Sequence, residues 1–166
     1  ALPFDGFAVG GLSVGEPKEK TFETLALASP LLPADRPRYL MGVGEPGDVL
    51  EAVALGMDLF DCVFPTRVAR NGLALTSKGR VVIRNAPAAE EDAPLDDSCS
   101  CPACRRYSRA YLRHLIHVGE IAGLRLVSLH NLVFMRGLLA RAREAILAGS
   151  YGRFLRDRLS AWRRPE

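Results

Sequence analysis

Three short apolar runs, each closed by glycine or carrying aspartate and separated by segments of helical periodicity, constrain this 166-residue chain more than any other feature. Phe4-Asp5-Gly6-Phe7-Ala8-Val9 ends in Gly10-Gly11, Tyr39-Leu40-Met41-Gly42-Val43 again runs into glycine, and Leu59 to Val63 forms the third run. After the first run, Pro17 suits a first helical turn, where its missing N–H costs nothing. Phe22, Leu25, Ala26 and Ser29 then recur at helical spacing until Pro30 and Pro33 stop them. Glu45-Pro46-Gly47-Asp48 opens a second helix that Gly56 closes. The order β-α-β-α-β predicts parallel strands with right-handed crossovers, compatible with a barrel or a doubly wound sheet. In both, ligands bind at the C-terminal strand ends, here Gly10-Gly11, Met41-Gly42 and Asp61.

The third run carries the chemistry. In Leu59-Phe60-Asp61-Cys62-Val63-Phe64-Pro65-Thr66-Arg67 a carboxylate sits inside an apolar strand that is expected to be buried, and Pro-Thr-Arg punctuates its end. An ionised carboxylate loses its hydration in such a place and is kept there only with partners or a task.

Beyond Arg67 the pattern changes. Asn71-Gly72 is a turn signal, and Leu73 to Thr76 with Val81 to Arg84 reads as a hairpin around Ser77-Lys78-Gly79-Arg80. Residues 85–97, rich in Ala, Pro and acid, are a loop. A helix is predicted from Tyr107 to about Ala122, broken by Gly123, and a longer one from about Ser128 to Leu147. A last helix has Tyr151, Phe154, Leu155, Leu159 and Trp162 on one face. With 48% hydrophobic and 25% charged residues the chain is globular in composition. No apolar run reaches the roughly 18 residues of a membrane span. The N-terminus has neither the basic nor the apolar region of a signal peptide, and it starts without Met almost inside a strand, as a piece of a longer protein is expected to. Charge is uneven: residues 1–98 hold 9 Lys/Arg against 15 Asp/Glu, and residues 99–166 hold 13 against 4. That excess, nearly all Arg, favours a phosphate-bearing partner over plain solvated helix faces.

The cysteines are Cys62, Cys99, Cys101 and Cys104. Three within six residues cannot form a tidy disulfide set, whereas clustered thiols without a secretory signal point to a tetrahedral Zn²⁺ site in a reducing compartment. His114, His117, His130 and Cys62 are the candidates for a fourth ligand. A Cys₃His site leaves no open position, so it is expected to be structural, contributing on the order of 10 kcal/mol of metal-linked folding energy.

Taken together, four motifs resemble the tRNA-guanine transglycosylase (queuine tRNA-ribosyltransferase) family. They are Gly10-Gly11-Leu12-Ser13-Val14-Gly15-Glu16, Tyr39-Leu40-Met41-Gly42-Val43-Gly44, Phe60-Asp61-Cys62-Val63-Phe64-Pro65-Thr66-Arg67, and Cys99-x-Cys101-x-x-Cys104 with His130-Asn131-Leu132. The resemblance runs over essentially the whole chain. It implies the C-terminal two-fifths of a (β/α)₈ TIM-type barrel, from about the sixth strand onward, with an inserted zinc subdomain. The implied division is 1–70 for the last βα units, 71–131 for the hairpin and zinc subdomain, and 132–166 for helices packing on the barrel.

By the same resemblance, Asp61 is the nucleophile that attacks ribose C1′ of guanosine 34 in a GUN anticodon. Guanine leaves, and a 7-deazaguanine base displaces the enzyme, in queuosine biosynthesis. Gly11, Leu12, Met41 and Gly42 match the base pocket, and Glu16 the residue orienting its turn. Gly42, Val43, Gly44, Glu45, Pro46, Gly47 and Asp48, with Thr66, Arg67, Val68, Ala69 and Arg70, match tRNA-contacting loops. Cys99, Cys101, Cys104 and His130 match the zinc ligands. Val14 narrows the space that eukaryotic members leave for queuine, which implies a bacterial enzyme using 7-aminomethyl-7-deazaguanine; the resemblance also implies a cytoplasmic location. Tyr107, Tyr111 and His114 resemble a homodimer interface. The family's general acid/base lies on strands this chain lacks, so the isolated chain is expected to be inactive. A competing expectation is a non-catalytic, zinc-stabilised tRNA-binding or partner module of the same family.

Overall fold

The computed structural model describes residues 3–162. Its first part alternates strand and helix: β1 (Phe7–Val9), α1 (Lys18–Ala28), a 3-10 turn (Ser29–Leu31), β2 (Arg38–Met41), α2 (Pro46–Ala54) and β3 (Leu59–Asp61). The three strands are parallel in the order β1-β2-β3, with Val9 opposite Leu40 and Met41 opposite Asp61. This register brings the three C-terminal ends level. Gly11 (φ +76°) and Gly42 (φ +80°) take left-handed backbone just past β1 and β2, where only glycine turns the chain without strain. Leu25, Leu40, Leu50, Ala52 and Met57 are buried. Arg38 ties the entry of β2 in place, its backbone N–H on Asp58 Oδ2 at 2.9 Å and its guanidinium on the carbonyls of Leu32 and Pro33.

The burial expected for the third strand is not found. Leu59 is 53% exposed and Asp61 is exposed as well. Among the described residues β3 is an edge of its sheet, so its carboxylate keeps solvent on one flank.

Chain contacts cluster into two compact units, residues 1–63 and 64–166. The second opens with α3 (Phe64–Arg70), where the sequence suggested only the end of a strand. Pro65 occupies the second position of this helix, in the turn where a missing N–H is tolerated. There follow β4 (Leu73–Thr76), β5 (Gly79–Val82), a 3-10 turn (Ala86–Ala89), α4 (Pro102–Arg106), α5 (Arg109–His117), α6 (Ile121–Leu147) and α7 (Tyr151–Trp162). The hairpin β4–β5 pairs Leu73 with Val82 and Thr76 with Gly79. Helix α6 is the axis on which α3, α4, α5, α7 and β4 pack. Ala74, Ile83, Leu95, Cys101, Leu112 and Val127 form the centre of its core.

The break predicted at Gly123 lies four residues earlier. Gly119 (φ +81°) supplies the left-handed turn after α5, while Gly123 is buried inside α6. A Cβ there would stand 2.9 Å from Leu115 Cβ, so this glycine serves the close approach of α5 and α6. Along α7 the predicted apolar face is half-buried, with Trp162 5.7 Å from Phe134 between ring centres. No helix among the described residues is long and apolar enough to cross a membrane.

Candidate active site and metal centre

Asp61 ends β3 at the level where β2 gives way to its glycine turn. Tyr39 and Met41 point to one face of β2, as Leu59 and Asp61 do on β3, because alternate strand residues share a face. The Tyr39 hydroxyl therefore reaches diagonally across and donates to Asp61 Oδ1 at 2.6 Å. The Gly42 N–H donates to the same oxygen at 3.1 Å. These two donors, Tyr39 first, hold the Asp61 carboxyl below the usual carboxylate range, and the bond raises the Tyr39 phenol in return. The group is thus an anion at neutral pH, suited to attack and not to proton donation.

Beside it, the turn after β1 is braced by Glu16. Its Oε1 accepts the Ser13 N–H and the Thr21 hydroxyl, both at 2.5 Å, and its Oε2 accepts the Val14 N–H at 3.0 Å. The Thr21 hydroxyl leads in holding Glu16 down to about 2, so a full negative charge organises the turn. Ser13 sits at φ +59°, a conformation L residues seldom adopt, directly beneath that carboxylate. Leu12 is half-buried, Gly11, Val14 and Met41 are exposed, and an added Cβ on Gly10 would come 3.1 Å from Met41 Sδ.

The connection that follows β2 is tightly seated. Val43, Gly44 and Pro46 are buried, Glu45 takes the N-cap position of α2 without a side-chain capping bond, Gly47 is half-exposed, and Asp48 pairs with Lys18 at 2.5 Å. In the second unit, Thr66, Arg67, Val68, Ala69 and Arg70 all lie on α3. Arg67 and Arg70 are exposed, whereas Ala69 is fully buried and has no side-chain atoms to offer a partner.

The Sγ atoms of Cys99, Cys101 and Cys104 and a His130 ring nitrogen all lie within 4.8 Å of one another. His130 Nδ1 is 3.6 Å from Cys101 Sγ and 3.3 Å from Cys104 Sγ. Ligands about 2.3 Å (sulfur) and 2.0 Å (nitrogen) from one tetrahedral ion lie roughly 3.5–3.8 Å apart, so the donor set fits Zn²⁺. His130 Nε2 is 2.9 Å from the Leu75 carbonyl, and donation there leaves the Nδ1 lone pair toward the sulfurs. Burial pushes the Cys99 and Cys104 thiols up and His130 down. Thiols so clustered and buried would ionise together only beside a cation, and the neutral imidazole is the form that ligates. His114 and His117 are exposed on α5, and Cys62 belongs to the other unit.

Sequence reasoning gave no role to four supporting residues. Tyr39 was legible only through strand parity, and Thr21 only through its spacing from Glu16. Asp96, 4% exposed, accepts the Ser77 N–H at 2.5 Å and hydroxyl at 3.0 Å, and the Ser98 N–H at 2.9 Å and hydroxyl at 2.7 Å. It binds the cysteine loop to the hairpin whose Leu75 holds His130. Asn131, fully buried, donates to the carbonyls of Pro65 and Leu73 and accepts the Leu75 N–H.

A family model described as queuine tRNA-ribosyltransferase matches residues 1–164. The queuine tRNA-ribosyltransferase of Herpetosiphon aurantiacus is 56% identical over 155 residues, covering 93% of this chain and 40% of that protein. That of Pelotomaculum thermopropionicum is 53% identical over 94% of the chain and 42% of its own length. For Symbiobacterium thermophilum the figures are 50% identity, 98% and 40%. The chain spans about two-fifths of the length of these curated relatives. With a matching family model along nearly its whole length and half or more of its residues shared with such relatives, this chain belongs to the queuine tRNA-ribosyltransferase family.

Proposed function

We propose that the chain is the nucleophile-bearing part of a tRNA-guanine transglycosylase, a pentosyltransferase of queuosine biosynthesis acting in the cytoplasm. Asp61 attacks ribose C1′ of guanosine 34 in a GUN anticodon. The C1′–N9 bond breaks, guanine leaves with a proton, and an Asp61–ribosyl ester remains. The incoming 7-aminomethyl-7-deazaguanine then attacks C1′ through N9, loses its N9 proton, and returns Asp61 as carboxylate. Carboxylates do this work at oxocarbenium-like centres in retaining glycosidases.

The observation that carries the reading is the anionic Asp61 at the open strand end, with Tyr39 and Gly42 both bonded to Oδ1. Oδ2 is assigned as the attacking oxygen. Gly11, Leu12, Met41, Gly42 and the Glu16-braced turn are assigned to the base, and Val14 to the exclusion of queuine. The 42–48 connection other than the buried Gly44, with Thr66, Arg67, Val68 and Arg70, is assigned to the anticodon loop. Cys99, Cys101, Cys104 and His130 are assigned to one structural Zn²⁺, which would crosslink the cysteine loop to α6. The division 1–70, 71–131 and 132–166, the eight-stranded barrel, and a homodimer through Tyr107, Tyr111 and His114 belong to the same proposal. The Tyr107 and Tyr111 rings, stacked 5.3 Å apart, support a preformed aromatic contact. The family's general acid/base is not among these residues, so the isolated chain is assigned no turnover of its own.

The test is a covalent trap. The complete protein containing this chain, mixed with tRNA bearing a GUN anticodon, should give a protein–RNA adduct that survives denaturing electrophoresis. Asp61→Asn should abolish the adduct while tRNA binding stays within about threefold. Binding without an adduct in the unaltered protein would favour the non-catalytic tRNA-binding module instead.

A further inference from the structure

Gly44 has a tighter spatial requirement than the other glycines near the site, since even a Cβ on Gly10 would meet only the flexible end of Met41, at 3.1 Å. Gly11, Gly15 and Gly42 have positive φ, and a Cβ at each would meet nothing within 4 Å. They are glycine for backbone reasons. Gly44 lies outside the left-handed region and is buried, so alanine is conformationally admissible there. Its difficulty is space. A Cβ would overlap Cys62 Cβ, lie 2.9 Å from its Sγ and stand 3.6 Å from its Cα.

Cys62 directly follows Asp61. The Gly42–Gly44 connection therefore grips the end of β3 at two points: the Gly42 N–H on the Asp61 carboxylate and the Gly44 backbone against the Cys62 side chain. We propose that Gly44 and Cys62 form a steric lock that positions the Asp61 carboxylate, making both positioning residues for the nucleophile. The proposal rests on Asp61 being that nucleophile. It gives Gly44 an intramolecular role, in place of the RNA contact that its position in the 42–48 run implies. An alanine at 44 has to displace Cys62, and the adjoining Asp61 moves with it, away from Tyr39 and Gly42. A misplacement near 1 Å costs reactions of this kind on the order of 100-fold.

The complete protein carrying Gly44→Ala should form the covalent tRNA adduct about 100-fold more slowly at saturating tRNA, with the tRNA Kd within about threefold of the parent. Adding Cys62→Gly removes both overlapping atoms and should recover the rate to within about tenfold of the parent. Adding Cys62→Ser, which keeps the Cβ, should not. A normal adduct rate in Gly44→Ala overturns the lock, as does a defect confined to tRNA Kd or one that Cys62→Gly leaves unrelieved. A crystal structure of Gly44→Ala is the second readout: Asp61 still bonded to Tyr39 and Gly42 also overturns it. If the parent forms no adduct, the nucleophile reading fails on its own, and the crystal structure alone decides the lock.

Discussion

Two donors from β2 and its turn converge on one oxygen of Asp61, and both favour the ionised form of the carboxyl. Because this lowers its pKa, Asp61 keeps its charge as pH falls below neutrality and loses it only once its depressed value is passed. Tyr39→Phe removes the larger of the two influences. The acid-side fall in adduct formation should then move to higher pH, with a slower rate on the plateau from lost alignment. A pH–rate profile unchanged from the parent would remove Tyr39 from the mechanism. The aspartate itself was legible in the sequence as a charged residue in an apolar run. Its partner was not, because Tyr39 lies 22 residues away and becomes a neighbour only through the parallel register. The expectation of burial failed for a related reason. Apolar composition marks β3 as a strand but says nothing about what lies beyond its edge.

At the level of elements, periodicity located the strands and most helices, and errors fell where glycine and proline serve several purposes. Pro65 looked like a terminator and is the second residue of α3, while Gly123 looked like a breaker and is a packing glycine in α6. At Gly123, alanine gains about 1 kcal/mol of helix propensity but over-packs Leu115 and Ile116, which costs about 1–3 kcal/mol. Gly123→Ala should be net destabilising by about 1 kcal/mol in denaturant titration. Gly137, on the same helix, would place its Cβ in ordinary contact, 3.6 Å from Arg141 Nη1. Gly137→Ala should therefore stabilise by roughly 0.5–1 kcal/mol. Stabilisation by both would mean that α5 and α6 do not approach as described.

Over the whole molecule, charge follows the two units. Residues 1–63 hold 4 Lys/Arg against 10 Asp/Glu, and residues 64–166 hold 18 against 9. The basic unit also holds the metal donors, with a core gathered around Cys101 and Cys104. Metal-linked folding energy on the order of 10 kcal/mol is comparable with the entire stability of an ordinary domain. Stripping the metal with a chelator should therefore abolish the cooperative melt of this unit with loss of helical circular dichroism, and added Zn²⁺ should restore both. Asp96→Ala, which unties the cysteine loop from Ser77, should weaken Zn²⁺ affinity by about 10- to 100-fold in competition with a chromogenic chelator. A melt indifferent to the chelator would show that the four donors do not hold the fold.

Asn131 gives that centre a longer reach. It adjoins His130 on α6, so neighbouring side chains a single helical step apart face the metal donors and clasp the first turn of α3 through the Pro65 carbonyl. Arg67 and Arg70 ride on that same short helix. On the proposed function, an ion held by these donors would act as ballast for the arginines, and a shortage of it would be felt as a slackened hold on RNA.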